Sequence, residues 1–71
     1  MSVTLEQTEK LLSGNHSFSQ LGFSLMIMRM KTQYKKTRDP ATLRSCTDEI
    51  NAFLQKFSMV MGGDYAVISG L

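Results

Sequence analysis

The sequence predicts an all-α fold: an antiparallel helical hairpin over about 17–37 and 40–61, preceded by a short helix at about 4–13. Three observations predict it. Between Phe18 and Lys36 the apolar residues recur with a helical period, on two opposite faces. Asp39-Pro40 then interrupts the pattern with a helix-start signal. From Pro40 onward the apolar residues fall on a single face, over about six turns.

The first helix is announced by Thr4-Leu5-Glu6-Gln7, a capping box in which the Thr4 hydroxyl serves the backbone of Gln7 and the Gln7 side chain reaches back. Leu5, Thr8 and Leu12 share one side of it, with Leu11 nearby. At about two and a half turns it is too short to stand alone and must dock. Gly14-Asn15 ends it, since either residue accepts a left-handed conformation.

Ser17-Phe18-Ser19-Gln20 reads as a second capping box and opens the middle helix. Here Phe18, Leu21, Leu25 and Met28 fall within roughly an 80° sector, which Thr32 continues. Phe23, Ile27, Met30 and Tyr34 form a second, roughly opposite sector, with Met26 on its flank. Polar seams separate the two, one with Gly22, Arg29, Gln33 and Lys36, the other with Gln20, Ser24, Lys31 and Lys35. A helix apolar on opposite faces requires cover on both, which makes it the middle layer of a sandwich. Lys31, Lys35 and Lys36 lie in its C-terminal half, where cations complement the helix dipole.

Asp39 as N-cap and Pro40 at the first helical position start the last helix. Its apolar sector holds Leu43, Cys46, Ile50, Phe53, Leu54, Phe57, Val60 and Met61, and Gly62-Gly63 ends it. The whole of 1–71 is one small helical domain, with 64–71 a flexible or docked tail. Tyr65, Val67 and Ile68 suit a short strand, but no complementary strand is apparent, so a tail is preferred to a sheet. The pattern alone does not say which face of the middle helix is internal. The assignment carried forward places Leu21, Leu25 and Met28 in the hairpin core with Leu43, Cys46, Ile50, Phe53 and Phe57. It leaves Phe23, Ile27, Met30 and Tyr34 to bind a partner, because the first helix is too short to cover four turns.

Composition removes several function classes. A single cysteine forbids an intramolecular disulfide, and with one histidine besides there is no ligand set for a structural zinc. The formal charge of +2 is too mild to imply nucleic acid. Its basic residues Arg29, Lys31, Lys35, Lys36 and Arg38 are also divided between two seams, not gathered in one phosphate-tracking stripe. The densest apolar run, Leu21 to Met30, contains Ser24 and Arg29 and reaches half the roughly twenty residues of a membrane span. With Glu6 and Glu9 near the start and no early basic run, no signal peptide is expected, and the free thiol suits the cytosol.

No catalytic residue and no cofactor is expected. His16 lies in a polar loop without a nucleophile or an orienting group in any recognisable motif. Cys46 sits on the apolar face of the last helix, where a thiol is a small hydrophobe. The acidic pairs Glu6/Glu9 and Asp48/Glu49 have neither metal-ligand nor acid–base context, and no phosphate loop is present. Met26, Met28, Met30, Met59 and Met61 suit a core or an adaptable binding surface, and Met28 and Met30 face opposite ways.

These features resemble the small E-type co-chaperones of type III secretion needle subunits. The resemblance runs over most of the chain and rests on the Thr4-Leu5-Glu6 start, Gln20-Leu21, the basic end at Lys35-Lys36, the Asp39-Pro40 turn and the apolar last helix closing near Gly63-Asp64. It implies a virulence-associated role in protein transport without turnover or cofactor. The chain would bind and stabilise a helical-repeat chaperone and help keep the needle subunit soluble in the bacterial cytoplasm before export. Two other readings stand beside it. One is a homodimeric four-helix bundle acting as a regulatory or adaptor protein, in which the spare apolar face is self-complementary. The other is a nucleic-acid binder, disfavoured by the divided charge.

Overall fold

In the computed structural model, which describes residues 2–59 and 62–71, the chain forms four helices and, among the described residues, no strand. The first, α1 (Leu5–Ser13), begins with the expected capping box: Gln7 N–H donates to Thr4 Oγ1 at 3.1 Å, and Thr4 N–H donates to Gln7 Oε1 at 3.0 Å. Gly14 closes it in an extended conformation (φ −101°), so the left-handed option is not used. Lys31 instead reaches the freed Gly14 carbonyl, at 2.6 Å, and Asn15 Oδ1, at 3.2 Å.

The second helix, α2 (Leu21–Thr37), starts three residues later than the expected box at Ser17 allows. Gln20 is the cap and its side chain accepts from Phe23 N–H. The reason lies far along the chain: the Asp64 carboxylate accepts from Ser19 N–H (2.8 Å), Ser19 Oγ (2.9 Å) and Gln20 N–H (2.9 Å), holding this segment outside the helix. Phe18 is thereby turned edge-on to Phe23, with ring centroids 4.9 Å apart.

A two-residue turn, with Arg38 left-handed (φ 51°), leads to α3 (Pro40–Lys56). Asp39 Oδ1 accepts from Ala41 N–H at 2.9 Å, and Pro40 takes the first turn, as expected. α3 ends five residues before the expected Met61. Ser58 adopts a left-handed conformation (φ 52°), Ser58 N–H returns to Gln55 C=O and Met59 N–H returns to Leu54 C=O, which is a Schellman close. Val60 and Met61, expected on the apolar face of this helix, lie outside the described residues. The remainder forms α4 (Gly63–Ser69), a helix that the sequence reading left as a tail. Gly62 (φ 114°) makes the break before it. Tyr65, Ile68 and Leu71 recur every third residue toward the core, and Ile68 is fully buried.

α2 and α3 are an antiparallel pair: Phe23 meets Phe53, Arg29 bonds Glu49 and Thr37 bonds Thr42, so one number falls as the other rises. α1 lies across this hairpin. Its start is held on α3, where Val3 N–H donates to Asn51 Oδ1 (2.7 Å), Asn51 Nδ2 donates to Val3 C=O (3.1 Å) and Thr47 Oγ1 stands 2.8 Å from Thr8 Oγ1. Its end is held on α2, through Tyr34 to Glu9 and Lys31 to Gly14. α4 packs on α1, so α1 touches all three other helices.

That arrangement corrects the sandwich. α1 and α3 both cover the same face of α2, the one bearing Phe23, Ile27, Met30 and Tyr34, which are at most 6 % exposed. These side chains form one core with Val3, Leu11, Leu12, Cys46, Ile50, Leu54 and Ile68. Among the described residues no helix is long and apolar enough to cross a membrane.

Candidate interaction surface

The four residues assigned to partner binding, Phe23, Ile27, Met30 and Tyr34, are the centre of the core, and that assignment is corrected. Leu21, Leu25 and Met28, assigned to the hairpin core, are instead 71 %, 56 % and 60 % exposed. The helical spacing that grouped each set was right, and only inside and outside were exchanged. On the α3 side, Cys46 and Ile50 are buried and Leu43 and Phe53 are half-buried against the core. Phe57 is 49 % exposed: it caps α3, which stops at Lys56, and its ring rests on Phe53 at the open end of the helix.

A signal for the correct orientation was present in the sequence. The outer sector of α2 runs Leu21, Leu25, Met28, Thr32 and is then straddled by Lys35 and Lys36, which cannot enter an apolar interior unpaired. The inner sector stays apolar for about three turns and ends on Tyr34, whose hydroxyl finds Glu9 Oε2 at 3.1 Å. Burial of the ring and the nearby Glu9 carboxylate both push the Tyr34 phenol above its ordinary value, so it stays protonated and able to donate.

The outer face is therefore an apolar ridge on the N-terminal half of α2 and a basic field on the C-terminal half. Arg29, on one flank, is paired with Glu49 at 2.7 Å across to α3. Lys31, on the other flank, is held by Gly14 and Asn15. Lys35 and Lys36 are exposed and make no ion pair among the described residues. Beside the ridge runs an open groove of about 560 Å³, walled by Ser24, Met28, Lys31 and Thr32 on α2 and by Asn15, His16, Ser17 and Phe18 on the preceding segment, with Ile27 also lining it. A ridge next to a groove is a surface into which another helix can set its side chains.

At the head of α2 a row of aromatic rings connects this surface with the core. Phe23 and Phe53 stand 5.5 Å apart, and Phe53 and the exposed Phe57 stand 4.5 Å apart. The Phe53 ring also faces Gly22, where it would lie 3.6 Å from an added Cβ. Asp64 organises the same end. Donation from the Ser19 backbone N–H, opposed in part by burial and reinforced by Gln20 N–H and the Ser19 hydroxyl, holds its carboxyl below the ordinary range. Sequence reading missed this tether, since nothing local links residues 19 and 64.

The side chains with reactive potential are placed otherwise. Cys46 is buried at 3 % exposure and burial pushes its thiol up, the opposite of what an accessible thiolate nucleophile requires. His16 is half-buried on the rim of the groove. Comparison with family models, with curated proteins and with solved structures finds no match for this chain.

Proposed function

We propose that this chain is a non-enzymatic binding protein that works by covering its exposed α2 ridge with a protein partner. The observation that carries the reading is the exposure of Leu21, Leu25 and Met28 in a row on one side of a helix whose other side is already complete. Large apolar side chains aligned in this way mark an interaction surface more often than scattered ones do. The resemblance to the small co-chaperones of type III secretion needle subunits supplies the kind of partner. On this reading the chain stabilises a helical-repeat chaperone in the bacterial cytoplasm and helps keep the needle subunit soluble until export. The work is done by binding, without cofactor or turnover.

The binding residues of this proposal are Leu21, Leu25 and Met28, with Lys31, Lys35 and Lys36 at the far end. The test is affinity capture of the tagged chain from its native host, with the retained proteins identified by mass spectrometry. A helical-repeat chaperone retained together with a small needle-like subunit, and lost with Leu25→Asp while helicity stays intact, supports the reading. Recovery of the chain alone, with a mass that rises with concentration, favours the homodimeric bundle instead. The uncharged Leu21–Met28 ridge is the feature that a two-fold self-pairing would use.

A further inference from the structure

We infer that the occupant of the α2 ridge is a partner helix carrying carboxylates beside its own apolar stripe, seated so that they lie over Lys35 and Lys36. This rests on the proposed protein-binding role and names the chemistry of the partner. The argument is one of charge. α2 carries Arg29, Lys31, Lys35 and Lys36 and no acid along its whole length, while the chain as a whole is +2, so the rest of the molecule is net acidic by two. Those acids do not serve the outer face beyond Arg29: Glu49 takes Arg29, Asp64 takes the backbone at Ser19 and Gln20, and Glu9 takes Tyr34. Lysines at the end of a helix complement its dipole. That effect accounts for cations in the last turn, but not for an exposed face without a single carboxylate.

A second copy of this chain is a poorer occupant. Paired parallel through the ridge, two α2 helices would set Lys35 and Lys36 against their equivalents. Paired antiparallel, they would lay these lysines over the uncharged Leu21–Met28 half. Neither arrangement provides an anion. An amphipathic helix with Glu or Asp flanking its apolar stripe provides both the cover for Leu21, Leu25 and Met28 and the counter-charge.

The test uses the full chain and two synthetic helical peptides of about 18 residues, or five turns. Both have the same leucine stripe; one is flanked by Glu and the other by Lys, and binding is read by fluorescence anisotropy. In about 20 mM salt the Glu peptide is expected to bind at least about tenfold more tightly, with the gap closing toward about 0.5 M as screening shortens to a few ångströms. The double variant Lys35→Glu with Lys36→Glu is expected to reverse the preference. Leu25→Asp, checked for helicity by circular dichroism, is expected to lose both peptides. Equal binding of the two peptides overturns the acidic-partner inference and leaves the ridge as an interface. Retention of Glu-peptide binding by Leu25→Asp overturns the ridge itself. Binding of neither peptide, or binding of phosphatidylglycerol vesicles in their place, overturns the inference.

Discussion

The two faces of α2 are a controlled pair. They share one backbone, both are apolar, and they contain similar residue types, yet Met30 is completely buried while Met28 is 60 % exposed. Hydrophobicity therefore did not decide which face went inside. The decision came from what else each face carries and from how much cover one short helix can give. The inner face ends in a tyrosine that donates to Glu9, and the outer face ends between two lysines. By lying across the hairpin, α1 adds to the cover that α3 already gives the inner face and leaves none for the outer.

The comparison is broken most forcefully by truncating each face in turn. Phe23→Ala empties a fully buried site and is expected to cost about 3–5 kcal/mol, a large part of the stability of a chain this small. Leu25→Ala, two residues along and on the other face, is expected to stay within about 0.5 kcal/mol. Urea unfolding followed by circular dichroism measures both, and similar losses would show that the outer face is also packed.

A smaller effect is expected at Asp64, which ties α4 to the head of α2. Asp64→Ala removes the acceptor of two backbone donors and is expected to cost about 1 kcal/mol, as loss of a helix cap does. Because its carboxyl is held below the ordinary range in the folded state, the tether is fully effective above about pH 3.9. Its contribution is lost as the pH falls through the lower folded-state value. Comparing acid unfolding of the parent with Asp64→Ala should show the two curves converging at low pH. A difference that persisted there would assign the effect to something other than the ionised carboxylate.

The buried hydroxyl pair should matter less. The single Thr47 proton lies between Thr8 Oγ1 and Leu43 C=O, while Thr8 donates to Thr4 C=O at 2.9 Å. Thr47→Val therefore leaves no donor stranded and is expected to cost about 1 kcal/mol or less, read from the shift in the urea midpoint. The smallest change is a gain: Ser58→Gly, at a left-handed position, is expected to stabilise by about 0.5–1 kcal/mol in the same measurement. A loss at this site would mean that the Ser58 side chain is needed for the turn.

What the sequence makes legible is the chemistry of neighbours. The capping box at Thr4, the Asp39-Pro40 start and the division of α2 into two apolar sectors all depend on residues within a few positions of each other. The failures share a cause. The late start of α2 depends on Asp64, the early end of α3 depends on a left-handed serine that carries no strong signal, and α4 forms from β-favouring residues because Ile68 is buried beside α1.

By itself the sequence determined an all-helical chain, the places where α1 and α3 begin, the turn between α2 and α3, and the presence on α2 of more apolar surface than one hairpin can bury. Propensity, capping and periodicity are local, so residues near one another suffice. Tertiary structure decided which surface was left over. That choice depends on desolvating Tyr34 with Glu9 at hand or leaving Lys35 and Lys36 in water, and on where a nine-residue helix lies, so it exists only once distant segments meet.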